Sequence, residues 1–244
     1  MTRSLAMKPI AFILFFVSAL LAGGQSYVDS GIRHFMAKEY DEALVDFAEA
    51  EKVKVMFTES SVAKIYFYRG LIWLERAEKR DFAESDPIRL AYENLSEVAE
   101  HDDSWEEQIT KAYARLNVLV MEQADAYEKQ SKKADGADAK TELLDRRIEC
   151  LVFAEKLGVN SSISALLGET NKEAGDIIFE NAADLEAMTK AKKYYEEAIR
   201  HYEIARYDDP FNKSTINTIL ELARKLDDAE KVKEYTLLLD LAGG

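Results

Sequence analysis

Lys193-Tyr-Tyr-Glu-Glu-Ala-Ile-Arg-His-Tyr-Glu-Ile-Ala-Arg-Tyr-Asp-Asp-Pro-Phe-Asn212 is the stretch on which the fold turns. Apolar residues recur through it at three- and four-residue spacing, with Ala198-x3-Tyr202-x2-Ala205 as the spine. That is the period of one helix face, not the alternation of a strand. Glu, Lys and Arg fill the positions between, and all three are good helix formers. Pro210 closes the run, since a proline ring cannot continue the hydrogen-bond ladder. The spacing predicts a long amphipathic helix followed by a turn over 207–212.

The same small-large-small order recurs toward the N-terminus. Tyr27-x2-Ser30-Gly31-x2-His34 precedes Tyr40 and then Ala43-x3-Phe47-x2-Ala50. Tyr66-x2-Arg69-Gly70-x2-Trp73 precedes Ala91-x3-Leu95-x2-Val98, and Arg147-x3-Leu151-x2-Ala154 follows later. Small residues on one helix admit the close approach of a second, and large ones fill the gap to the next pair. Breaks fall near 51–60, 80–86, 101–103, 134–139, 158–162 and 207–212. Pro87 is expected in the first turn of a helix behind a capping side chain, and Gly136 and Gly158 are expected at helix ends.

These motifs resemble the tetratricopeptide repeat, whose pattern is W-x2-L-G-x2-Y, then A-x3-F, then P. The resemblance is closest over 188–212 and 25–57, is visible over 60–101 and is weak elsewhere. It implies an all-α fold, an αα-hairpin solenoid wound as a right-handed superhelix, with about five helix pairs. Their expected spans are 25–57, 60–101, 105–157, 163–210 and 213–241. The anchors Ala43, Ala91, Arg147 and Ala198 are 48, 56 and 51 residues apart, against 34 in the family. The hairpins should therefore be elongated and irregular, with Arg147 loosening or shifting the third pair.

Composition agrees with that class. Of 244 residues 48% are hydrophobic, enough for a core, while 10 Gly and 3 Pro are too few for a turn-dense β fold. With 32 Lys plus Arg against 46 Asp plus Glu the net charge is −14, which repels nucleic-acid phosphates and favours basic or neutral partners.

Residues 1–24 read as a signal peptide. Arg3 and Lys8 precede an uncharged stretch from Pro9 to Ala22, too short to span a bilayer, and small residues follow at Ala22, Gly23 and Gly24. Leu20-Leu21-Ala22-Gly23 resembles a bacterial lipoprotein signal, but Gly24 stands where the lipid-bearing cysteine would be. The expectation is a soluble periplasmic or secreted protein with no stable membrane span after cleavage. Cys150 is the single cysteine, so no intrachain disulfide forms, and its setting in RRIECLVFAEKL suits packing.

His34, His101 and His201 lack metal-ligand spacing, and no nucleophile elbow or phosphate-binding glycine loop occurs. His34 occupies an aromatic position of the repeat and is expected to pack, and His201 to pair with Glu197 on a helix surface. No cofactor and no metal are expected, and the chain is expected to be non-enzymatic.

The repeat resemblance implies a concave face lined by the first helix of each pair. It directs Val28, Ile32 and Phe35 from the first unit and Lys64, Phe67, Leu71 and Leu74 from the second toward that face. By helical phase Tyr113, Asn117 and Met121 continue it. The expected function is an adaptor or assembly factor binding a protein or peptide partner in the cell envelope. The alternative is a periplasmic small-ligand carrier or helper component of solute transport, with an apolar cavity.

Overall fold

In the computed structural model the described residues are 24–80, 86–158 and 161–243. Apart from Gly24, the expected signal peptide lies outside them. Among the described residues the structure contains no strand and ten α-helices packed as successive neighbours, an all-α helical-hairpin fold. The helices are α1 (24–37), α2 (Tyr40–Glu51), α3 (Glu59–Glu78), α4 (Pro87–His101), α5 (Glu106–Ser131), α6 (Ala137–Leu157), α7 (Ser161–Glu180), α8 (Leu185–Ala205), α9 (Lys213–Lys225) and α10 (Ala229–Gly243). Short 3-10 turns occupy Lys54–Met56 and Asp103–Trp105. No described helix is long and apolar enough to cross a membrane. The chain divides into two compact units, Met1–Leu119 and Val120–Gly244, with the boundary inside α5.

In the first unit the paired helices meet over glycine. A Cβ on Gly31 would lie 2.7 Å from the Phe47 ring, and one on Gly70 2.7 Å from Leu95 Cγ and 3.4 Å from the Ala91 carbonyl oxygen. Val28, Ala43, Phe47, Ala50, Ile65 and Ile72 form the core beneath. Caps fix the entries: Thr58 Oγ1 accepts the Ser61 N–H, and Asp86 Oδ1 accepts the Arg89 N–H at 3.1 Å with Pro87 in the first turn of α4, as its sequence requires. The 38–39 turn is made without glycine. Lys38 adopts φ 64°, and the Glu39 N–H reaches the His34 carbonyl at 2.9 Å. Left-handed backbone costs a non-glycine residue about 1–2 kcal/mol.

In the second unit α7 and α8 repeat the device. A Cβ on Gly175 would meet the Tyr195 ring at 2.7 Å, and one on Gly168 the Tyr202 ring at 3.0 Å. The fully buried triad of α8 is Ala191, Tyr195 and Ala198, whereas Ala205 is only half-buried. The small-large-small frame of this hairpin therefore sits seven residues earlier than Ala198-x3-Tyr202-x2-Ala205. Tyr195, Ile199, Ile216, Ile219, Leu222 and Tyr235 build the core with α9 and α10. Arg147, where other pairs carry alanine, is buried and meets Glu128 of α5 at 2.7 Å, so an ion pair fills the position of close approach.

Two further expectations are corrected. Gly136 does not end a helix. It precedes α6 at φ 87°, where the chain needs a left-handed residue to reverse. His201 is no surface group: it is 2% exposed, 4.0 Å from Glu197. Gly158 does follow the last residue of α6 and donates its N–H to the Glu155 carbonyl.

Candidate functional site

The expected concave-face residues separate by burial. On α1, Val28, Ile32, Phe35 and Met36 share one stripe by helical phase. Val28 is fully buried, Ile32 and Phe35 are half-buried, and Met36 is 66% exposed, so the stripe opens toward the end of the helix. On α3, Phe67 and Leu74 are buried while Lys64 and Leu71 are half-buried. Val28, Phe67 and Leu74 are therefore core residues and no docking contacts. Val28 packs with Ala43 and Phe47, and the Phe67 ring lies 4.5 Å from that of Trp105.

Ile32, Phe35, Lys64 and Leu71 stay at the boundary with solvent. Rings link these helices. Tyr40 and Phe35 are 6.0 Å apart, Phe35 and Tyr68 5.2 Å, Tyr68 and Phe67 5.6 Å, and Phe67 and Trp105 4.5 Å. Tyr68 also stacks on the buried Phe47 at 6.3 Å, which anchors the row to the core. Tyr40, Phe35, Tyr68 and Trp105 each keep part of their surface accessible. Pairs at these separations and tilts add about 0.5–1.5 kcal/mol each beyond area burial, so the row is stiff. Sequence reasoning missed Tyr40, Tyr68 and Trp105. Tyr68 stood in the run Tyr66-Phe67-Tyr68, while Trp105 lies in a 3-10 turn where helical phase assigns no face.

Charged groups edge the row. Lys79 Nζ lies 4.9 Å from the Tyr40 ring centroid, and Tyr40 donates to Glu75. Burial, reinforced by Glu75, pushes the Tyr40 hydroxyl pKa up, so it stays a neutral donor. Arg115 of α5 holds Glu78 and Glu75 at 2.8 and 3.0 Å. Beside them Lys54 donates to Tyr66 at 2.6 Å, Tyr66 to Glu51 at 3.1 Å, and Arg69 to Glu51 at 2.6 Å. Burial opposes ionisation of Glu51, but Arg69, Tyr66 and Lys54 together outweigh it and hold the carboxyl below its ordinary range. These pairs fasten the Lys54–Met56 turn to α3.

The α5 residues do not extend the row. Tyr113 packs against Tyr92 of α4 at 5.8 Å, with its hydroxyl pushed up to about 12, chiefly by burial. Asn117 is half-buried with Oδ1 sealed from solvent and unbonded, and Met121 belongs to the second unit.

His34 Nδ1 is 2.6 Å from Glu39, its Nε2 is 3.6 Å from Asp46, and His101 Nδ1 is 2.7 Å from Glu59. Among the described residues no group of three His, Cys, Asp or Glu side chains is arranged to hold a metal ion. Fold and face together define a helical-hairpin protein with a part-exposed aromatic row. No protein-family model matches the chain, and no match was found among curated proteins.

Proposed function

We propose that this chain is an exported, non-enzymatic tetratricopeptide-like interaction module that docks a protein partner on the aromatic row of its first unit. One observation carries the reading: Phe35, Tyr40 and Tyr68 from α1, α2 and α3 and Trp105 from the turn before α5 each keep surface open to solvent, and the buried Phe67 ring links Tyr68 to Trp105. Aromatic anchors of low side-chain entropy supply most of the free energy at protein interfaces. The half-open stripe of Ile32, Phe35 and Leu71 suits the apolar face of a partner helix or peptide. A chain of net charge −14 draws basic or neutral partners by long-range attraction. The apolar N-terminal segment with Arg3 and Lys8 supports a place in the envelope.

The test is crosslinked affinity capture from native envelope with the wild type and an Ile32→Glu/Leu71→Glu variant. Both changes sit at the solvent boundary, so the helix content of the variant should match the wild type. A partner held by the wild type and lost from the folded variant supports the reading. Equal capture by both contradicts it.

A further inference from the structure

The second unit carries a cavity of about 490 Å³ along one face of α7, bounded also by the end of α5 and the start of α6. Glu169, Glu173, Asp176, Ile177 and Glu180 are in its wall, on neighbouring helical turns. Its charges do not cancel internally. Lys172 is taken by Asp176 at 2.8 Å, and Lys132 by Glu128 at 2.5 Å. Asp176 further holds Lys225 at 2.7 Å and accepts from the Tyr195 hydroxyl at 2.8 Å. That leaves Lys140 facing Glu169, Glu173 and Glu180, none of which makes an ion pair among the described residues. With Lys132, Lys140 and Lys172 against Glu169, Glu173, Asp176 and Glu180, the wall carries an excess of one negative charge.

Tyr202 of α8 is the independent observation. It is 8% exposed, it lines this cavity, and its hydroxyl has no hydrogen-bond partner among the described residues. Its ring is fixed against Gly168. Burial, with the fields of Glu169, Asp176 and Glu221, raises its pKa, so the oxygen stays a neutral hydroxyl that accepts from a cation. A buried tyrosine ordinarily satisfies its hydroxyl within the protein. Tyr202 instead lines the cavity with that hydroxyl unbonded.

The arrangement selects among cations. Side chains four residues apart on a helix are about 6 Å from each other, and Glu169 to Glu180 spans about 16 Å along the axis. A single metal ion needs converging oxygens at about 2.0–2.6 Å, which this row does not offer. Ile177 and the Tyr202 ring supply apolar surface among the carboxylates. We propose that this cavity binds a linear aliphatic polyamine. Its ammonium groups are held by Glu169, Glu173, Glu180 and the Tyr202 oxygen, and its methylene stem lies on Ile177. The volume is within the range of small-ligand pockets. The site is in the second unit and does not depend on the aromatic docking face.

Isothermal titration of the full chain with spermidine at low ionic strength tests this, with 1-aminobutane and Mg²⁺ as separate titrants. Saturable one-to-one binding of spermidine is expected. Binding should be about tenfold or more weaker in Glu169→Gln/Glu173→Gln and several-fold weaker in Tyr202→Phe. Tyr202→Phe removes a hydroxyl bonded to nothing in the protein, so its thermal melt should match the wild type. Glu230→Gln/Glu234→Gln on α10 removes the same charge elsewhere and should leave affinity unchanged. Three results would overturn the proposal: no saturable binding, equal affinity for 1-aminobutane or Mg²⁺, or equal weakening by the α10 variant.

Discussion

Gly70→Ala probes the close approach on which each helical pair rests. The new methyl would lie 2.7 Å from Leu95 Cγ and 2.9 Å from its Cδ2, with the Ala91 carbonyl oxygen 3.4 Å behind. Leu95 is fully buried, so it cannot swing into solvent. Forcing the helices or Leu95 apart costs about 1–3 kcal/mol. Replacing an interior helical glycine by alanine returns about 1 kcal/mol. The expected net loss is about 1 kcal/mol, rising to about 3 kcal/mol for Gly70→Val, whose branches add bulk without adding helix propensity. Leu95→Ala alone should cost about 2–5 kcal/mol. Combined with Gly70→Ala it should cost at least about 1 kcal/mol less than the sum, because the added methyl fills vacated space. The chain has two tryptophans, Trp73 and Trp105, both in the first unit. Urea unfolding followed by their fluorescence therefore reports this unit separately. Gly70→Ala more stable than wild type, or strict additivity of the pair, would refute the packing argument.

Other perturbations test separate parts of the structure. Lys38→Gly relieves the left-handed backbone between α1 and α2 and should stabilise the first unit by about 0.5–1 kcal/mol, read from the same fluorescence transition. Tyr194→Phe removes the hydrogen bond to Asp145 and should destabilise the second unit by about 1 kcal/mol in urea unfolding followed by circular dichroism. Burial first, and then Arg200, lower the pKa of His201, whose Nδ1 is unbonded and whose Nε2 faces Arg200 at 3.0 Å and Glu197 at 4.0 Å, with Glu155 nearby. The unfolded chain then takes up this proton more readily, so stability falls as pH drops through about 6.5 toward the lower folded value. The fall in melting temperature between pH 7.5 and 5.5 should be smaller in His201→Leu. Asp176 and Glu51, whose pKa values are lowered, act only in the more acid carboxylate range.

The helical pairs were legible because Ala, Leu, Glu and Lys repeat with one period and the turns carry their own chemistry, as with Asp86 before Pro87. What escaped the sequence concerned which of two equivalent surfaces is covered. Ala191-x3-Tyr195-x2-Ala198 and Ala198-x3-Tyr202-x2-Ala205 are overlapping copies of one motif. Only the position of Gly175 against Tyr195 shows which is the frame of closest approach. The repeat resemblance directed Val28 and Phe67 toward the concave face, but it carries no information on what packs over them in this chain. Val28 is closed in by Phe47 and its neighbours, and Phe67 by Trp105. The aromatic row was half-visible for the same reason. Its members come from three helices and a turn, and their juxtaposition is a product of packing. Tyr202 looked like an ordinary spine residue, because a sequence does not show which tyrosine is left at a cavity wall without a hydrogen-bond partner.

The proposed function requires a protein partner on the aromatic row of the first unit. Photocrosslinking in intact cells tests it most directly, with a benzophenone amino acid placed singly at Met36, Lys64 and Leu71, and at Tyr207 and Leu241 of the second unit as references. All five side chains are at least part-exposed, so each probe can react with a bound neighbour. One common protein should be crosslinked from positions 36, 64 and 71, and not from 207 or 241. Crosslinks confined to 207 and 241, or none from the three face positions, would contradict it.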